Sequence, residues 1–227
     1  MIDAYGRAHP TASFVQVGSN DGVKFDPISL QIRTRRWTGV MVEPVPYLYE
    51  RLTTNFGGGR RVQLENSAVA AHGGSQPFYY LAESAGGEPG LPDWYDALGS
   101  FRRDVLLSHR EFIPEIDDRL RTIQVPCLTF DELCQKHGVE HLDLVHIDTE
   151  GYDYEVLRLV DLDRWRPTVV LFEHKHLSPD DRAAALARLE ARDFELLADD
   201  TDTLAVARVA LAATPSLSSA WQAARAA

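Results

Sequence analysis

Short apolar runs rich in valine and isoleucine alternate with amphipathic stretches along most of the chain. The first run is Ser13–Val17, followed by a loop bearing glycines. A second run at 39–42 is closed by Glu43 and Pro44, and a third covers 61–64. Between these two, residues 47–55 place Tyr47, Leu48 and Leu52 on one side of a helix, and Gly57 to Gly59 stop it. Residues 77–81 have strong β propensity, and 124–128 read as extended. Thr129 is placed to N-cap a helix through DELCQKHG, with Gly138 as its stop. Residues 142–148 form the most apolar strand, 154–162 a helix and 168–173 another buried strand. Ser178 caps an alanine-rich helix over 179–192 that carries proline in its first turn. Runs at 194–197 and 203–209 flank a turn and read as an antiparallel pair.

Alternating strands and helices, with strands apolar on both faces, imply an α/β fold. Its sheet is mostly parallel with helices on both faces, and the last pair adds one antiparallel edge hairpin. One domain is expected over 1–210, with 211–227 as a loosely attached tail. Residues 82–122 interrupt the rhythm with AESAGGEPGLPDW and a polar helical stretch near 104–111. A long insert of this kind reads as a lid. Its Trp94, Tyr95, Phe101 and Phe112 fit either a cover for a ligand or anchors that dock the insert on the body.

At 227 residues and 44% hydrophobic, the chain has enough apolar mass for one sizeable core. Its 34 acidic against 23 basic residues leave a net charge of −11, which argues against nucleic acid as a partner. The basic cluster at 33–36 reads as a solvated helix end. The opening MIDAYGRAHP has no apolar core of a signal peptide, and no apolar run reaches the ~18 residues of a membrane span. Cys127 and Cys134 form no CxxC pair and read as ordinary thiols of a reducing cytoplasm.

Candidate chemistry gathers at strand ends, where open α/β sheets bind ligands. After the first strand comes VQVGSNDG, with Gly18 and Gly22 spaced wider than in the dinucleotide fingerprint G-x-G-x-x-G. Asn20 and Asp21 between them suit a cationic or zwitterionic ligand better than a pyrophosphate. Glu43, beside Pro44 at the second strand end, is the kind of residue that accepts both ribose hydroxyls of an adenosine group. After the third strand, Ser67 and Ala68 form a polar–small pair suited to an adenine edge.

VQVGSNDG, VMVEPVPYLYERL, ENSAVA, VPCLTFDEL and above all DLVHIDTEGYDYEVL resemble, in order over roughly 13–175, the FkbM family of S-adenosylmethionine-dependent methyltransferases. The resemblance implies the seven-stranded, Rossmann-like class I methyltransferase fold. It also implies methyl transfer to hydroxyl groups, often of sugars or natural products. Carried onto this chain, Gly18, Asn20, Asp21 and Gly22 line the methionine part of the cofactor, Glu43 holds the ribose, and Ser67 and Ala68 lie near the adenine. Ser19 departs from the alanine common in related sequences.

A sulfonium donor is already activated, so the enzyme must align an acceptor hydroxyl and help it lose a proton. Strand alternation puts His146 and Asp148 on one side, with Asp148 at the strand's carboxyl end. The neighbouring strand end supplies Glu173, His174 and His176. Two readings stay open. In one, Mg²⁺ or Mn²⁺ is held by Asp148 and Glu173, with His174 as a further ligand. In the other, His146 or His174 is a general base near neutral pH. A site mixing both, centred on Asp148, is favoured. Against these stand plainer roles: Asp148 as a helix cap, His146 as a satisfied core histidine, Glu150 as an acidic helix start, and His176 pointing away in the following loop. A structural zinc site is disfavoured, because no cysteine accompanies the histidines at ligand spacing.

The expected function is O-methylation of a sugar or glycoside hydroxyl. The alternatives are a polyketide or other secondary-metabolite acceptor, or a cofactor-binding protein without activity. The missing G-x-G-x-x-G opposes a nicotinamide enzyme. The partner is then a small hydroxylated acceptor, with no membrane span, and the fold class suggests a homodimer.

Overall fold

The structure, a computed structural model, describes residues 1–84 and 88–226. Among the described residues, eleven strands form in chain order. They are β1 (Ser13–Val17), β2 (Thr38–Val42), β3 (Val62–Glu65), β4 (Ala68–Val69), β5 (Gly74–Leu81) and β6 (Gly99–Ser100), followed by β7 (Leu120–Leu128), β8 (Leu144–Ile147), β9 (Val169–Glu173), β10 (Phe194–Ala198) and β11 (Asp202–Ala207). Seven of them make one sheet in the order β10-β11-β9-β8-β1-β2-β3. Every pairing in it is parallel except those of β11, which runs against both β10 and β9. This is the expected parallel sheet with an antiparallel edge hairpin.

The sheet forms because alternate residues of each strand bury on opposite faces. Val15, Val145 and Val170 belong to a core on one face, and Phe14, Leu144 and Val169 to a core on the other. With β1 central, β2 follows on one side and β8 on the other, so strand order reverses about β1. Such a reversal opens a crevice at the carboxyl ends of the strands. Two expected caps are present. Thr129 and Glu132 form a reciprocal capping box on Phe130–Lys136, and Ser178 accepts from the Asp181 amide at the start of Pro179–Glu190.

Three features differ from the sequence reading. The stretch at 77–81 is part of β5, which leaves the main sheet and joins β4, β6 and β7 in a separate four-stranded sheet. The insert carries a core that the sequence reading did not foresee, whichever of its two open roles holds: Tyr95, Leu98, Leu106, Ile113 and Ile116 pack with Leu81. Its residues 85–87 lie outside the described residues. The expected loose tail instead forms two short helices, Arg208–Ala213 and Pro215–Ala226. Leu217 is buried, and so is Trp221, which donates its indole N–H to Glu195 at 2.8 Å. The small residues of the tail hid this, since few of its side chains, Leu211, Leu217 and Trp221, reach the core. Position 227 of that tail is outside the described residues. No described helix is long and apolar enough to cross a membrane.

Candidate active site

The reversal about β1 produces a cleft of about 770 Å³, counted to its mouth, over the ends of β1, β2 and β8. Phe78, Gly99 and Phe101 from the second sheet and insert form its opposite wall. The floor depends on Gly18, which has φ +82°; a Cβ there would stand 1.7 Å from the Asp148 carbonyl oxygen. Only glycine lets the loop after β1 lie this close to the end of β8.

Gly18, Asn20, Glu43, Pro44, Ser67 and Ala68 all line the cleft. Glu43 is buried and accepts the Asn20 amide on Oε2 and the Val45 amide on Oε1, both at 2.8 Å. Each oxygen keeps a second lone pair for a ligand. Burial pushes its carboxyl up to about 7, and those two amides pull it back only partly. The Ser67 hydroxyl is buried in the cleft wall without a hydrogen-bond partner. Glu65 turns away to Lys136 and His137 instead.

Asp21 and Gly22 do not line the cleft. The Asp21 carboxylate folds back onto the Val23 and Lys24 amides, at 2.8 Å each, and shapes the loop. Gly22 sits where a Cβ would collide with Leu52 and Phe56. Both serve packing of the loop, a correction to their expected place beside the cofactor.

Asp148 and His146 project into the cleft from β8 and its end. The N-terminus of the next helix is held by Asp153, which accepts from the Thr149 and Gly151 amides at 3.0 Å. That leaves the Asp148 carboxylate to face the cleft. Burial, with the negative charges of Asp202 and Asp26 added, raises it to about 7. Burial lowers His146 to about 4, so its imidazole is neutral at physiological pH. Its Nδ1 is buried without a partner.

His174 does not join them. It is buried outside the cleft with Nδ1 2.9 Å from the Thr203 hydroxyl, beside Leu177 and Arg182. Alternation at the end of β9 sends His174 to the side opposite Glu173. The turn that follows brings His176 back, where its Nε2 lies 3.2 Å from Glu150 Oε2. Among the described residues, the group that converges as metal ligands is therefore Glu150, Glu173 and His176, and not Asp148, Glu173 and His174. Burial, with the negative charges of neighbouring carboxylates such as Asp148 and Asp153 added, holds both glutamates well above the usual carboxylate range.

Sequence reasoning also missed Gln16 and Asp26. Gln16 pairs in register with His146 across β1 and β8. It donates to Asp26 at 3.0 Å and keeps Oε1 buried and unpartnered in the cleft. The signal was present: a glutamine among the apolar residues Phe14, Val15 and Val17 of a buried strand. Asp26 also accepts from the Ile28 and Ser29 amides and is raised by burial to about 6.

The unpartnered Gln16, Ser67 and His146 atoms and the glycine cradle fit a ligand with an adenosine end and a charged end. The family model for the methyltransferase FkbM domain matches residues 16–196. No curated protein matches the chain. A solved methyltransferase FkbM from Methylobacillus flagellatus KT superposes with a TM-score of 0.50 at 13% identity, over 87% of this chain and 44% of that one. The chain thus spans less than half the length of that relative, whose likeness shows the α/β methyltransferase fold. A precorrin-6y C5,15-methyltransferase from Geobacter metallireducens GS-15 aligns over 86% of this chain and 81% of its own, at 12% identity and TM-score 0.42. A ribosomal protein L11 methylase from Lactobacillus delbrueckii subsp. bulgaricus covers 91% and 76%, at 10% identity and TM-score 0.43.

Proposed function

The chain belongs to the FkbM methyltransferase family, and from that premise we propose that it is an S-adenosylmethionine-dependent O-methyltransferase acting on a hydroxyl of a sugar or glycoside. When bound, the cofactor supplies an activated methyl group. Glu43 receives the ribose hydroxyls, Ser67 and Ala68 border the adenine, and Gly18 and Asn20 border the methionine portion. The carboxylates around the cleft favour the positive sulfonium over a neutral or anionic ligand.

The observation that carries the reading is Asp148: a carboxylate at the end of β8, facing the cleft and raised to about 7. A base with a pKa near the working pH is the efficient choice for general-base catalysis. Asp148 would take the proton of the acceptor hydroxyl, the hydroxyl being the group to which the cofactor would give its methyl in exchange for the sulfur–carbon bond. His146, neutral and on the same face of β8, orients the acceptor by hydrogen bonding through Nδ1. The sugar preference rests on the family resemblance and on an acidic cleft with an aromatic wall.

Calorimetric titration tests the cofactor: S-adenosylhomocysteine binds and NAD does not. Binding of NAD alone would overturn the proposal. Labelled methyl donor with a panel of sugars, glycosides and polyketides then identifies the acceptor class, and label appearing only in polyketides would move the reading to secondary metabolism.

A further inference from the structure

Glu150, Glu173 and His176 form a cluster that the methyl-transfer reading leaves without a task. One ligand atom of each lies within 4.8 Å of the other two. They reach this point from three places: the loop after β8, the end of β9 and the turn beyond it. The Oε2 atoms of both glutamates are sealed from solvent and have no hydrogen-bond partner. His176 Nε2 approaches Glu150 Oε2 at 3.2 Å, yet the contact is not aligned as a hydrogen bond. Ionised, both carboxylates only accept, so neither can satisfy the other. With no cation between them they are held protonated, well above the usual carboxylate range. Two orphaned carboxylate oxygens in a dry place are costly unless positive charge stands between them. The adjacent lysine, Lys175, is exposed.

We propose that Glu150, Glu173 and His176 are the protein ligands of a divalent transition-metal ion. One imidazole nitrogen and two carboxylates suit Zn²⁺, Co²⁺ or Mn²⁺, whereas Mg²⁺ prefers an all-oxygen shell. Three protein donors leave coordination positions for water or a substrate oxygen. Glu150 is also part of the cleft wall, which puts the ion beside the acceptor's path. The insert supports the histidine: the His176 ring packs edge-on against His109, with centroids 5.2 Å apart. His109 in turn is fixed by Nδ1 at 3.0 Å from the Val105 carbonyl and by the Trp94 ring. Outer groups of this kind orient metal-binding histidines. The proposal goes beyond the methyltransferase reading and stands without it.

The test is direct metal binding to the full chain after chelation and dialysis. Co²⁺ should saturate at one ion per chain, with visible d–d absorption and a raised melting temperature. Zn²⁺ should displace it, and Mg²⁺ at the same concentration should not. Glu173→Gln and His176→Ala should each weaken Co²⁺ binding by about tenfold or more. Glu173→Gln replaces a strained carboxylate with an amide of the same shape, so its fold is retained. Absence of saturable absorption in the wild type, or unchanged affinity in both variants, would overturn the proposal. S-adenosylhomocysteine affinity, measured on the same samples, reports separately on the methyltransferase reading.

Discussion

At the scale of single residues, the cleft separates carboxylates by what already satisfies them. Asp153 and Asp21 are consumed by backbone amides, whereas Asp148 faces the cleft. Asp148→Asn should lower kcat by at least about 100-fold, the usual worth of a general base, while S-adenosylhomocysteine affinity stays within about twofold. In the wild type, kcat/KM should rise with pH through about 7 and then level off, because the base works only when deprotonated. A profile flat from pH 5 to 9 would remove Asp148 from that role. Glu43→Gln keeps the side-chain shape but loses the charge, and should weaken S-adenosylhomocysteine about tenfold in a calorimetric titration, the scale of one hydrogen bond to a charged group. Asp148, Gly18, Glu43 and Ser67 were legible because strand ends are defined by apolar runs, and alternation then says which side chain turns inward. His174 and His176 were not. Their order was inverted by a turn whose geometry depends on the Leu177 amide bonding back to the His174 carbonyl at 3.1 Å, which no local pattern announces.

At the scale of elements, helices with caps and strands apolar on both faces were readable from the chain. The second sheet was not, because β4 and β6 are two residues each and gain their identity only from partners distant in sequence. β5 and β7 look like members of the main sheet, yet they pair with one another along their length. The C-terminal helix is a similar case, held by Leu217, Trp221 and one indole hydrogen bond. Trp221→Ala should therefore cost about 3 kcal/mol of unfolding free energy in urea melts, the range for truncating a buried aromatic. A loosely attached tail would lose less than about 0.5 kcal/mol, as exposed positions do.

At the scale of the whole molecule, acidic charge is concentrated where it is least comfortable. Asp26, Glu43 and Asp148 are raised to about 6, 7 and 7 from ordinary values near 4. The folded chain therefore holds protons that the unfolded chain has released, and the stability they lend is complete below pH 4 and lost as pH rises to about 7. The lowered histidines His109, His146, His174 and His176 oppose this trend, but with Glu150, Asp153, Glu173 and Asp202 also raised the carboxylates outnumber them. The carboxylates shifted the other way, among them Glu65 and Asp199, act only as pH falls below their ordinary range. The ligand-free melting temperature should fall between pH 4.5 and 7, by roughly 3 °C for each net proton released per pH unit. A midpoint that climbs over that interval would contradict the burial of these groups. The insert has a packing core separate from the two that flank the main sheet. Changes inside that core are therefore expected to leave the β1, β2 and β8 side of the cleft standing. If the insert is the roof over the proposed acceptor, a lineage with this architecture can rewrite that roof, one tolerated substitution at a time, without first losing the ability to hold the methyl donor.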